Sequence, residues 1–291
     1  LNAIEGRSVD APLSGATVCV DTNEDSQCGA DESSVLTDAK GYYAAPEGTS
    51  AEGFELRVLS VGGTDILTEK VLSSLALLAD LPADLSKPIA ITPLSSILSV
   101  ATNPADVLIA LGFPSTVSPA DLVSLDPWAL AGGESSTSNE FSSAAAVATS
   151  LGITASALEN VVKDVVVVSA QIAVMIQAAD ALVANTSTSG LQSASERAAM
   201  ISSTVSSELI ETIEAAITAA GGASAAAVDV TSAAFVNEIL SETVTESSAK
   251  ILVVVQAKQD SGELDLSDTS SASVAAILSI KEAAEVLGQT G

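Results

Sequence analysis

Thr92-Pro93-Leu94-Ser95-Ser96 divides the chain into two kinds of sequence. A threonine hydroxyl directly ahead of a proline marks a helix start: the hydroxyl accepts from an unpaired first-turn N–H, and proline at the first helical position lacks an N–H that would have no partner anyway. Two more starts of the same kind follow, Asn103-Pro104-Ala105-Asp106 and Ser118-Pro119-Ala120-Asp121, each with an acid at the third helical position, where the helix dipole is positive. The second helix is expected to stop at Gly112 and Pro114. The third is expected to run toward Asp126-Pro127-Trp128 and to close at Gly132-Gly133. The polar run 134–139 reads as an exposed loop or hinge.

Upstream of Thr92 the signals are those of strands and turns. Gly15-Ala16-Thr17-Val18-Cys19-Val20 is rich in β-branched residues and runs into a polar loop. Thr37-Asp38-Ala39-Lys40-Gly41-Tyr42-Tyr43 opens a strand with a turn, and Phe54-Glu55-Leu56-Arg57-Val58-Leu59-Ser60-Val61 alternates before Gly62-Gly63. Residues 72–81 and 89–91 are expected to supply the last strands, with a short helix as the competing reading of 72–81.

Downstream, long helical segments are expected at 142–150, 154–184, 191–220, 231–258 and 271–287, separated by Gly152, Gly190, Gly221-Gly222 and Ser261-Gly262. Ala198, Ile201, Val205, Leu209, Ile213 and Ile217 recur at three- and four-residue steps and make one apolar stripe. Val161, Val165, Val168, Ile172, Met175, Ala179 and Leu182 make another, read as core with a part available to a second subunit. A helix of about 30 residues spans about 45 Å, so this part is expected to be an elongated bundle. The fold class is therefore multi-domain α and β: a β module over 1–91, then an all-α domain over 92–291, with short capped helices at 92–131 and a long-helix bundle at 142–287.

Composition removes several functions. The 291 residues carry 10 Lys and Arg against 37 Asp and Glu, a net charge of −27, with no His and 2% aromatic residues. Nucleic acid and anionic lipid call for a basic footprint, so neither is expected as a partner. Without His there is no Ser-His or Cys-His relay and no imidazole metal ligand, and no enzyme is expected. At 47% apolar residues the chain can build a sizeable core. Its longest apolar stretch, 165–176, falls short of the ~20 residues that cross a bilayer, so no membrane insertion is expected. No basic-then-apolar leader opens the sequence, and any secretion signal is expected to have been removed or to lie outside this stretch.

Two cysteines, Cys19 and Cys28, flank an acidic loop. They are either a disulfide or two unpaired small hydrophobes; the disulfide is the reading adopted, and it carries an oxidising, extracellular location with it. Between and beyond them, Asp21-Thr22-Asn23-Glu24-Asp25-Ser26-Gln27-Cys28-Gly29-Ala30-Asp31-Glu32 places oxygen side chains at positions one, three, five and twelve of a 12-residue frame. A hard cation needs six to eight oxygens, and alternate residues of a tight loop point inward while a later Glu closes the shell. Calcium is the expected ion, held by the side chains of Asp21, Asn23 and Asp25, the carbonyl of Gln27 and both oxygens of Glu32. Asp31 replaces Glu32 if the register slips by one. Position six is ordinarily Gly because the backbone there takes a positive φ; here it is Ser26, at a cost of about 1 kcal/mol.

The run from Gly15 through Glu32, with Thr37 to Tyr43 after it, resembles the Cna B-type or SdrD B-like β-sandwich modules of bacterial surface proteins, in the variant whose calcium loop is bracketed by cysteines. The resemblance covers about residues 5–65. It implies an Ig-like or prealbumin-like sandwich used as a stalk or building block at the cell surface. The isopeptide bond of some such modules is not carried over, since the early Lys40 lies outside the first strand. Gly62-Gly63-Thr64-Asp65 and Thr92 to Ser96 are similar, less specifically, to the sandwich-to-helix junction of large secreted bacterial proteins.

Three further constellations have bland competitors. Asp260, Glu263, Asp265 and Asp268 fit no standard cation frame and read as a solvated turn. Ser247-Ser248-Ala249-Lys250 matches S-x-x-K without its companion motifs and reads as helix surface. Trp128 is either a sugar-stacking platform or, by preference, a packed anchor between short helices. The expected function is that of a secreted, calcium-stapled structural subunit forming a homo-oligomer or polymer, with residues 1–5 as a candidate donor strand for a neighbour's sheet edge. The alternative is a non-polymerising adhesin segment that binds a glycan or a host protein.

Overall fold

The computed structural model describes residues 4–23, 26–44, 57–73, 75–81, 88–132, 144–184 and 193–261. Its strands are β1 (Glu5–Ser8), β2 (Leu13–Ser14), β3 (Thr17–Asp21), β4 (Ser34–Leu36), β5 (Tyr42–Ala44), β6 (Arg57–Val61), β7 (Thr64–Asp65), β8 (Ala76–Asp80) and β9 (Ile89–Ile91). The helices are α1 (Pro93–Leu98), α2 (Pro104–Ala110), α3 (Pro119–Val123), α4 (Pro127–Gly132), α5 (Ala144–Ser150), α6 (Ala155–Ala184), α7 (Ala194–Ala220) and α8 (Ala233–Asp260). The chain is thus mixed α and β. Of the 72–81 segment, Ala76–Asp80 forms a strand, and the last expected helix, 271–287, lies outside the described residues, as does 134–139.

Among the described residues the strands form a four-stranded sheet β4-β3-β6-β8, a three-stranded sheet β5-β1-β9 and a pair β2-β7. The first is antiparallel throughout, while β1 lies antiparallel to β5 and parallel to β9. Gly6 of β1 has no room for a side chain: a Cβ there would meet the Ile89 carbonyl oxygen at 1.9 Å, and the same oxygen accepts from the Tyr43 hydroxyl at 3.0 Å. Ser8 and Ser60 hydroxyls, 2.7 Å apart, join β1 to β6 of the other sheet.

Strand alternation divides the four-stranded sheet between two apolar clusters. Val18, Val20, Val58, Leu77 and Ala79 join the main core, and Cys19, Leu59, Ala76 and Leu78 face a smaller cluster closed by Ala198 of α7. The main core continues without a break from Ile4 to Ile251, across the Thr92 junction. At that junction α1 is buried over all six residues. Its capping box pairs Thr92 with Ser95, and Ser95 and its neighbour Ser96 reach the outer edge of β8: Ser96 Oγ accepts from the Leu78 N–H at 2.8 Å and Ser95 Oγ donates to the Leu78 carbonyl at 2.6 Å. Ser202 of α7 accepts from the Ala76 N–H at 3.1 Å. Helix hydroxyls therefore occupy an edge that would otherwise offer unpaired groups to another chain.

The second and third proline starts cap their helices as expected, through Asn103 and through a Ser118–Asp121 capping box. The third helix ends at Val123, however, and Asp126-Pro127 begins a fourth: Asp126 Oδ1 accepts from the N–H groups of Trp128 and Ala129, both at 3.0 Å. The reason is the same cap-plus-proline chemistry, which continuing the third helix through Pro127 would violate. The other Asp126 oxygen, Oδ2, takes Arg7 Nη1 at 3.2 Å, with both side chains shut off from solvent. Arg7 Nε also donates to the Lys40 carbonyl at 2.7 Å, and its guanidinium stacks 4.5 Å from the Tyr42 ring centroid.

The α7 stripe is buried from Ala198 to Ile213, with Ile217 partly so. The α6 stripe is buried from Val161 to Ala179, but Leu182 is exposed and Val183 takes the inward position, because a four-residue step from Ala179 keeps the face. Residues Ala155–Val183 of α6 are long and apolar enough, at a mean hydropathy of 1.9, to span a membrane by length and composition. The 12-residue stretch considered in sequence understated this helix. Here α6 packs against α1, α4, α5, α7 and α8.

Candidate functional site

The loop between β3 and β4 is built from its ends inward. Cys19 is in β3, and its side chain points to the smaller apolar cluster; nine residues on, Cys28 closes a disulfide with it, with Cα atoms 5.7 Å apart. Two residues on from Cys19, and so on the same face of the strand, Asp21 ends β3 and is 2% exposed. Ser26 adopts φ +58°, the left-handed conformation expected at position six, and its N–H donates to Asp21 Oδ2 at 3.0 Å. The turn is thus made by a residue with a Cβ, and a hydrogen bond to the first carboxylate holds it.

Glu32 is buried and closes the loop from the far side. Its Oε1 accepts from the Thr22 N–H at 2.7 Å and from the Thr22 hydroxyl at 3.1 Å, and its Oε2 accepts from the Gly29 N–H at 2.9 Å. Asp31 is exposed, so Glu32 is the acid that faces inward. Asn23 is exposed, Gln27 is half-buried, and Asp25 lies outside the described residues.

The donor chemistry suits a hard cation, since the Asp21 carboxylate, the Asn23 side-chain oxygen and the Gln27 carbonyl lie within the disulfide-closed loop and the Glu32 carboxylate follows four residues after Cys28. Among the described residues no cluster of three or more His, Cys, Asp or Glu forms. Glu32 binds the loop by hydrogen bonds that fill both lone pairs of Oε1 and one of Oε2.

Elsewhere, Ser247 is fully buried inside the helical packing, while Lys250 pairs with Glu246 at 2.8 Å and with Thr204 Oγ1 at 3.0 Å, so the S-x-x-K residues serve the α7–α8 contact. Of the distal acidic group, Glu263, Asp265 and Asp268 lie outside the described residues. Residues 1–3 of the candidate donor segment also lie outside them, while Ile4 is buried and Glu5 pairs with Ala44 in the chain's own sheet. At the α7–α8 contact Glu208 is pushed up to about 7 by desolvation and by its hydrogen bond and repulsion with Glu246. Glu246 is held low by that hydrogen bond and by Lys250.

Two arrangements escaped the sequence reading. One is the Arg7–Asp126 pair, whose signal was the unread cap in Asp126-Pro127. The other is a cleft of about 460 Å³ between the β1–β2 and β7 turns on one side and α4 and α6 on the other, with half-buried Trp128 in its wall. Its residues are scattered over 9–177, and no local motif joins them. Comparison with family models, with curated proteins and with solved structures finds no match to this chain.

Proposed function

We propose that the chain is an extracellular structural subunit of a bacterial surface layer, filament or matrix, which self-assembles through protein–protein contacts. The observation that carries this reading is the Cys19–Cys28 disulfide closing an acidic loop over the buried Asp21 and Glu32. Disulfides persist in oxidising compartments, and a short loop of oxygen donors is the kind of site that extracellular calcium occupies. Asp21, Asn23, Asp25, Gln27 and Glu32 would hold the ion, Glu32 through Oε2 alone rather than through both oxygens, because Thr22 occupies Oε1; the ion would cross-link the loop and supply no chemistry on a substrate. The two larger sheets are read as the faces of an Ig-like or prealbumin-like sandwich serving as connector, with the helices as body. A net charge of −27 fits this role, since divalent cations relieve self-repulsion between acidic subunits.

Sedimentation and negative-stain imaging of the chain, first in calcium and then in EGTA, test the proposal. Large ordered assemblies in calcium that disperse in EGTA are expected. A monomer under both conditions that binds glycan would replace this function with that of an adhesin segment.

A further inference from the structure

The cleft between the turns and helices α4 and α6 is assembled independently of the disulfide loop. Its walls are mainly apolar, with Leu72, Trp128 and Val174 among them. Three polar features interrupt them. Asp10, half-buried in the β1–β2 turn, has a carboxyl that makes no hydrogen bond among the described residues and faces the repulsion of Asp65. Asp65 is fixed in place as the acceptor of the Leu67 and Thr68 N–H groups at 2.7 and 3.2 Å. Ser169 of α6, 3% exposed, also lines the cleft with a buried hydroxyl that has no partner.

An unsatisfied hydroxyl and an unpaired carboxyl in an apolar cleft are expensive features unless a ligand completes them. The charge defines the ligand. The cation in the lining, Lys70, donates to Gln177 Oε1 at 2.7 Å across the mouth, so with both carboxylates ionised the lining carries 1 − 2 = −1. A monocation cancels that charge, while an anion or a neutral sugar does not. A volume of about 460 Å³ is within the roughly 300–1,000 Å³ range of small-molecule sites.

We propose that this cleft binds an organic ammonium ion, its nitrogen held by Asp10 and Asp65 and its apolar body lying against Trp128 and α6. Desolvation by the bound body strengthens the ion pair, the apolar wall favours amines carrying an aryl or alkyl chain over free ammonium, and the Ser169 hydroxyl gains a partner.

Trp128 is the single tryptophan of the chain, so its fluorescence reports occupancy directly. The full chain is titrated at pH 8 with 2-phenylethylamine, with the neutral 2-phenylethanol and with maltose, each by fluorescence and calorimetry, in calcium and in EGTA. Saturable 1:1 binding of the amine, at least tenfold tighter than the alcohol and present in both media, is expected. Asp10→Asn lowers amine affinity about tenfold and leaves the alcohol unchanged. Ala170→Phe, at an exposed helix position in the lining, abolishes binding without unfolding the chain. Equal binding of amine and alcohol, tighter binding of maltose, loss of amine binding in calcium, or amine binding that survives Ala170→Phe would each overturn the proposal. None of these outcomes bears on assembly.

Discussion

Arg7 and Asp126, 119 residues apart in sequence, form an ion pair at 3.2 Å with their side chains 1% and 0% exposed, tying the first strand to the cap of the fourth helix. A pair this deeply buried contributes little net stability while intact, yet losing one member leaves an uncompensated charge. Arg7→Met is expected to lower the free energy of unfolding by about 3–5 kcal/mol in urea titrations. Asn at 126 keeps an oxygen for the Trp128 and Ala129 N–H groups without the charge, so Arg7→Met/Asp126→Asn should lose less than the sum of the single changes. Strict additivity would show that the two side chains act separately.

Ser96 closes the free edge of β8 through the Leu78 N–H. Ser96→Ala leaves that buried donor without an acceptor, and a loss of about 1–3 kcal/mol is expected. Hydrogen exchange locates the effect: the Leu78 amide should lose protection more than the amides of β3, which pair between two strands on either side. Unchanged protection at Leu78 would mean that another group caps the edge.

The left-handed Ser26 makes the loop sensitive to one methylene. Ser26→Gly removes the Cβ clash of φ +58°, partly offset by the greater freedom of glycine in the unfolded chain, and a gain of about 0.5–1 kcal/mol is expected. A loss measured by thermal melting would place the hydroxyl of Ser26 in a stabilising role that its backbone does not explain.

Calcium seated among Asp21 and Glu32 stabilises the fold with the logarithm of its excess over Kd, by about 1.4–2.7 kcal/mol at ~10- to 100-fold, and raises the melting temperature accordingly. Asp21→Ala should therefore lower the melting temperature more in calcium than in EGTA. The disulfide adds a separate contribution of about 2.5 kcal/mol for so short a loop, lost on reduction in either medium. Equal losses for Asp21→Ala in calcium and EGTA would reduce the loop to a turn held by hydrogen bonds alone.

Local chemistry made much of this fold legible. The cap-plus-proline starts at Thr92, Asn103 and Ser118 are written within four residues, as is the period-2 alternation around Cys19, and the loop's register could be counted from Asp21 to Glu32. Asp126 is not legible in the same way, because a capping oxygen there sits where the sequence reads equally as the tail of the preceding helix. Its second oxygen meets Arg7 through tertiary packing that no window of sequence contains. The same holds for Ser95 and Ser96, which read as helix residues and act as edge strand partners, and for Asp10, whose neighbours in the cleft come from three distant segments.

Asp10 also makes stability depend on pH in a direction opposite to that of a salt-bridged acid. Burial, with the repulsion of Asp65 added, pushes its carboxyl up to about 7, while in the unfolded chain it titrates near 3.8. Between those values the folded state holds a proton that the unfolded state has released, so the stability that Asp10 contributes is fully present below about pH 4 and is lost as pH rises toward 7. Glu208, also raised to about 7, contributes a slope of the same sign, as does the mutual repulsion of a chain at −27. The variant difference isolates Asp10. Asp10→Asn should match the wild type at pH 4, exceed it in melting temperature at pH 8, and leave in place the slope that Glu208→Gln removes. Equal pH profiles for Asp10→Asn and wild type would show that solvent reaches the Asp10 carboxyl freely and that the cleft floor is wet.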